Sequence, residues 1–178
     1  MDKQVLRFWF EEIKPKQWWL KDEAFDQLIK DRFLSLHRQA AAGELYAWRQ
    51  SATGRLAEIL ILDQFSRNMF RGTAAAFAQD ALALVLAQEA VARGCDRQLP
   101  QQQRAFLYLP YMHSESALIH QVALELFEQL GLPSSLNYEI RHQEIIARFG
   151  RYPHRNPILG RESTAAERAF LQQPGSSF

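Results

Sequence analysis

Proline and glycine fall mostly between stretches of helical periodicity in this chain, and that placement constrains the fold more than any other feature. Only seven prolines and eight glycines occur in 178 residues. Both residues interrupt helices, so here they act as stops. Alanine, leucine, glutamine and glutamate dominate the stretches between them and valine is scarce, which favours helix over strand. The chain is therefore predicted to be all-α.

The stops and caps divide it into about eight helices. The first is predicted over 2–12, ending before Pro15. Asp22 caps the next, with Phe25, Leu28, Ile29, Phe33 and Leu36 on one face, and Gly43 ends it. Thr53 is the predicted cap of a helix over 54–71, and Gly72-Thr73 breaks it from a second long helix ending at Gly94. A helix from Pro100 is interrupted or kinked at Pro110, and another is predicted from Ser114 to Leu130. Ser135 caps a helix ending at Gly150, and Asn156-Pro157 reads as the start of a very short one. Thr164 with Glu167 forms a capping box for the last, before an end expected to be flexible from about residue 174. Short connections imply antiparallel neighbours and stacked hairpins. No repeat or low-complexity linker is evident, so a single domain over 1–178 is expected.

Composition excludes several function classes. A net charge of +1 does not suggest nucleic-acid binding, and no basic stripe extends beyond one local cluster. Cys95 is the single cysteine, which excludes an internal disulfide and a cysteine-rich zinc site and fits a cytoplasmic setting. The start, Met1-Asp2-Lys3-Gln4, lacks the apolar core of a secretory signal. The apolar run 74–92 carries Gln79, Asp80, Gln88 and Glu89, so no membrane span is expected.

Three polar patches carry the candidate chemistry. In the first, Asp63, Arg67 and Arg71 fall at i, i+4 and i+8, with Asn68 beside them. They form either an ion-pair ladder that orders neighbouring helices or a row of guanidiniums facing an anion. The second contains His113, Ser114 and Glu115; His113 shares a face with His120 if its helix begins early enough. The third is a loop carrying Arg148, Arg151, His154, Arg155, Asn156 and Arg161, with no acid between Ile145 and Arg161. Such a cluster repels itself unless carboxylates, carbonyls or a bound anion face it. His142 lies in line with Ile145, Ile146 and Phe149 and is expected to point into the core, as a structural residue or a general base. Asp63, His113, Glu115, His142 and His154 are metal-ligating types without a ligand spacing, so no metal is expected.

The motifs at 62–73 (LDQFSRNMFRGT), 113–115 (HSE), 148–156 (RFGRYPHRN) and 159–161 (LGR) together resemble the bacterial family catalogued as domain of unknown function 924. Phe8-Trp9-Phe10, Trp18-Trp19 and the Ser163-Thr164-x-x-Glu167 end match it too. The resemblance covers essentially the whole chain and implies an all-α, tetratricopeptide-like superhelix. It implies no activity, cofactor or catalytic residue.

Two functional expectations follow. In one, the patches converge on a pocket where Asp63, Arg67, Asn68, Arg71, His113, Glu115, Arg148, Arg151, Arg155, Asn156 and Arg161 surround a small phosphorylated or carboxylated metabolite. His142 or His154 would then transfer a proton, with no cofactor. In the other, the helical stack is a tetratricopeptide-like module whose groove receives a peptide or protein partner, such as an acidic tail.

Overall fold

Asp22 accepts a hydrogen bond from the Phe25 N–H at 3.1 Å and starts α2 (Glu23–Ala41), as its position in the sequence predicts. The computed structural model describes residues 1–177, and those residues contain helices and turns but no strand. Ahead of α2, α1 (Asp2–Arg7) widens into a π-helical turn at Phe8–Glu12. Leu28, expected on the inner face of α2, is 44% exposed, while Phe25, Ile29 and Phe33 are buried.

Ser51, not Thr53, caps α3 (Ala52–Leu60): its hydroxyl accepts from the Gly54 N–H at 3.0 Å. Helix α3 continues through a second π-helical turn, Ile61–Phe65, into α4 (Ser66–Met69). The two π turns face each other, since Phe8 and Trp9 lie 6.0 and 5.4 Å from Phe65 between ring centroids. Phe25, Phe33 and Phe106 complete this aromatic centre. Burial of such rings is the largest favourable contribution a helical core makes.

The second half is a run of hairpins: α5 (Asp80–Ala92), α6 (Gln101–Met112), α7 (Ala117–Leu130) and α8 (Pro133–Phe149), each packed on the next. Short connections between packed neighbours make them antiparallel. Helix α6 carries Pro110 within its last turn and ends at Met112, so α7 starts at Ala117 and not at Ser114. Gly131 and Gly150 close α7 and α8 in the left-handed conformation, at φ 72° and 68°. Helix α9 (Ala165–Leu171) opens with the predicted Thr164–Glu167 capping box.

The apolar segment Ala74–Ala92 is long and apolar enough by composition to cross a membrane. The fold divides it into a 3₁₀ turn at Ala74–Ala76 and the 13-residue α5, which packs Ala83, Leu86, Ala87 and Ala90 into the core. Asn156-Pro157 does not open a helix; the short 3₁₀ turn lies earlier, at Pro153–Arg155, and Asn156 closes it. The X-Pro step at 153 sets an extended Tyr152, after which the chain turns at once. Near the end, Ser176 is buried and donates to the Leu171 carbonyl; the last residue, Phe178, lies outside the described residues.

Candidate functional site

Tyr152 pins the arginine-rich loop to the helical stack. Its ring is fully buried, and its hydroxyl donates to the Met112 carbonyl at 2.5 Å, at the end of α6. Its N–H donates to Glu115 at 2.7 Å, and its carbonyl accepts from Arg161 at 3.2 Å. Arg161 also grips Glu115 with two bonds, 2.6 and 2.9 Å, and donates through Nε to Asn156. Paired forks of this kind fix orientation as well as charge. Burial pushes the Tyr152 hydroxyl far above its ordinary range, so it stays protonated and donates. Glu115 is held below the usual carboxylate range: its burial is outweighed by the bonds from Arg161 and Tyr152.

The loop therefore lands beside Asp63 and His113. Asp63 sits on the π turn between α3 and α4 with 1% of its side chain exposed. Its Oδ1 lies 2.7 Å from His113 Nδ1 and 3.0 Å from Arg67, and its Oδ2 accepts from Gln64 at 2.5 Å. Burial raises a carboxyl, but here Arg67, His113 and Gln64 more than reverse it and keep Asp63 ionised. An ionised carboxylate only accepts, so Nδ1 of His113 carries the proton. Burial, joined by the charge of Arg67, holds His113 below its ordinary range against the pull of Asp63. His113 is thus a neutral imidazole whose Nε2 is an acceptor. That nitrogen has no hydrogen-bond partner among the described residues, on a side chain 15% exposed.

Two guanidiniums share one carboxylate next to this dyad. Asp80, in the first turn of α5, accepts from Arg67 at 2.9 and 3.1 Å and from Arg155 at 3.1 Å. Arg155 also caps α6 by donating to the His113 carbonyl at 3.0 Å. Its guanidinium lies between Phe77 and Tyr152, 4.5 and 4.7 Å from the ring centroids. Arg155 Nε is buried and has no hydrogen-bond partner among the described residues.

The other histidines surround Tyr152. His142 Nδ1 lies 2.7 Å from the Tyr138 carbonyl, and since a carbonyl only accepts, Nδ1 carries the proton. Burial pushes His142 down to about 3 and His154 down to about 4, the latter helped by Arg155. Both are neutral near pH 7. His142 and His113 rings lie 6.5 Å apart, and the Tyr152 ring lies 5.6 Å from His142 and 5.7 Å from His154. His120 is on α7, which begins only at Ala117, so it shares no helix face with His113; it is fully buried, 2.6 Å from Glu139 and 2.9 Å from the Ser114 carbonyl.

Not every predicted residue joins this centre. Asn68 and Arg71 both bond Asp26 on α2, at 2.8 Å and at 2.5 and 2.8 Å, and tie α4 to α2. Arg151 pairs with Glu167 of the capping box at 2.7 and 2.9 Å and so anchors α9. Arg148 stacks on Phe149 and Phe170. The structure brings together Asp63, Arg67, His113, Glu115, Arg155, Asn156, Arg161, His142 and His154. Asp80, Tyr152 and Glu139 were missed as site residues. An acid interrupting the apolar run 74–92 was the available signal for Asp80; nothing local marked Glu139. No group of three metal-ligating side chains suited to an ion occurs among the described residues.

Ser66 is not poised as a nucleophile. Ser66 lies 2.8 Å from His37 Nε2, but its hydroxyl donates to the Leu62 carbonyl at 2.6 Å and is fully buried. His37 therefore donates to Ser66, the reverse of what activation requires.

The chain belongs to the DUF924 family, bacterial proteins of unknown function, which it matches over residues 5–175. It is also similar to a solved structure of a protein of unknown function from Agrobacterium tumefaciens. The two share 42% sequence identity over 96% of each chain, with a TM-score of 0.92. No curated protein matches it.

Proposed function

We propose that this member of the DUF924 family binds a small anionic metabolite, phosphorylated or carboxylated, at the His113–Arg155 surface and acts on it by proton transfer. The observation that carries the reading is the 2.7 Å contact between Asp63 and His113 Nδ1. A buried carboxylate on one imidazole nitrogen fixes the tautomer and leaves the other nitrogen as a base. His113 takes over the proton-transfer role expected of His142 or His154, because a buried carboxylate orients it and its side chain keeps 15% of its surface exposed. The proton moves from the substrate to Nε2 and returns from it. Arg155 and Arg67, gathered on Asp80, supply the positive charge beside that nitrogen. The setting is the cytoplasm, in keeping with a single free cysteine.

The test is a thermal-shift screen against phosphorylated metabolites, dicarboxylates and nucleotides, followed by turnover assays on whatever binds. A ligand at about a hundred times its dissociation constant raises the midpoint by several degrees. The reading expects one anion class to shift the wild type, R155M to abolish the shift, and H113Q to retain binding but lose turnover. Binding that survives R155M contradicts it.

A second reading, a tetratricopeptide-like module that docks a peptide, is favoured by Leu118 and Val122 on α7 and Tyr138 on the neighbouring α8, exposed by 68, 40 and 52%. A screen in which no anion shifts the midpoint favours it.

A further inference from the structure

A cavity of about 400 Å³ is lined by Arg49, Gln50, Arg55, Arg93 and Cys95. It lies where the 3₁₀ turn Tyr46–Gln50 and the first turn of α3 meet the end of α5, and it shares no residue with the His113 site.

Its three arginines are not equivalent. Arg49 is satisfied, because Nε and one terminal nitrogen bond both oxygens of Glu58 at 2.8 and 2.7 Å, and Glu58 is wholly buried. Arg93 is 63% exposed and makes a single 3.4 Å contact with Glu89, itself 56% exposed, so it is free to swing. Arg55 is the anomaly. It is 9% exposed, and among the described residues no carboxylate or carbonyl accepts from its guanidinium. Glu58, on the same helix, is already occupied by Arg49.

A guanidinium with no acceptor of its own on a cavity wall is available to an anion that enters. No acid lines this cavity to supply that acceptor. We infer that the cavity binds a phosphate group, as inorganic phosphate or a phosphate monoester. Arg55 is the anchor, its planar fork meeting two oxygens, and Arg93 closes over the anion from the solvent side. Gln50 adds an amide donor. Two uncommitted guanidiniums match a dianion better than a carboxylate, and the volume accommodates the group with a small attached moiety.

The test is calorimetric titration of inorganic phosphate, at fixed ionic strength in chloride, into the wild type, R55M, R93Q and R155M. The inference expects saturable binding to the wild type, weakened at least about tenfold by R55M and a few-fold by R93Q. R155M retains it, which separates this site from the His113 surface. Without phosphate, R55M is expected to melt no lower than wild type, because no hydrogen bond or ion pair of the Arg55 side chain is lost and its apolar stem is kept. If R55M does not fold, or melts well below wild type, Arg55 is a structural residue and the inference is overturned. Absence of phosphate binding, or binding indifferent to R55M, overturns it too. Acetate binding as tightly as phosphate overturns the assignment to a phosphate group. The shift of the Arg55 Nε resonance in wild-type protein, expected on adding phosphate and absent otherwise, reads the same contact without a variant.

Discussion

Arg155, in the loop after α8, donates to the carbonyl of His113 at the end of α6, 3.0 Å away across 42 residues of sequence. That bond sets the loop in register with the imidazole that Asp63 orients. The same guanidinium reaches Asp80, so α5, α6 and the loop meet at one side chain.

On the proposed anion-binding reading, Asp80 is the counter-charge an incoming anion must replace. D80N is expected to cost about 2 kcal/mol of stability, since Arg67 and Arg155 lose a shared carboxylate that is 19% exposed. It is also expected to tighten anion binding at the His113 surface several-fold. Urea denaturation and the anion screen measure the two effects. Unchanged anion affinity in a destabilised D80N would contradict the competition.

Tyr152 holds the loop by a hydroxyl bond to the Met112 carbonyl and a contact to His120 Nε2 at 3.1 Å. Y152F is expected to lose about 1–3 kcal/mol, because a buried carbonyl loses its donor. Melting should fall by several degrees for a domain of this size. Limited proteolysis should then cut within 150–161 first.

Acid should weaken the fold in two stages. His142 and His154, buried to folded values of about 3 and about 4, take up protons more readily when unfolded, where histidine titrates near 6.5. Stability therefore falls as pH drops from about 6.5 toward 4. The bond from Arg151 holds Glu167 down at about 2, so its contribution is present above the unfolded value near 4.3 and fades as pH falls toward 2. H142L should flatten the upper stage, and E167Q only the lower. Denaturation midpoints at several pH values separate them; a profile unchanged by H142L would contradict a neutral buried His142.

Gly54 is required by its neighbour and not by its torsion angles. A side chain there would overlap the Trp48 carbonyl oxygen in the turn before α3. G54A is expected to destabilise by about 2–3 kcal/mol, as overpacking against backbone does. A midpoint within a degree of wild type would show that the turn gives way.

Helix existence was legible in the sequence because punctuation and caps are local: Asp22, Gly131, Gly150 and the Thr164–Glu167 box act within a turn of where they stand. The Ser51 cap was misplaced to Thr53 because two hydroxyls stand two residues apart and only tertiary packing of the preceding turn selects between them. The π turns left no periodic trace, since one extra residue per turn is stabilised by Phe8, Trp9 and Phe65 packing across elements. In the site, the Asp63–Arg67 pair was readable from its spacing. The assignment of arginines to acids was not: Arg71 went to Asp26 and Arg151 to Glu167, choices fixed by helix stacking. His113 was marked as a binding residue; its proposed role as a base rests on the contact with Asp63, 50 residues away, which no local pattern shows.

The state of His113 is the point on which the proton-transfer reading turns, and long-range ¹H–¹⁵N NMR of its ring across pH reads that state directly. A neutral imidazole protonated at Nδ1, titrating below its ordinary value and lower still in D63N, is the expected result. A ring protonated at Nε2, or one charged at neutral pH, would contradict the assignment of His113 as the base.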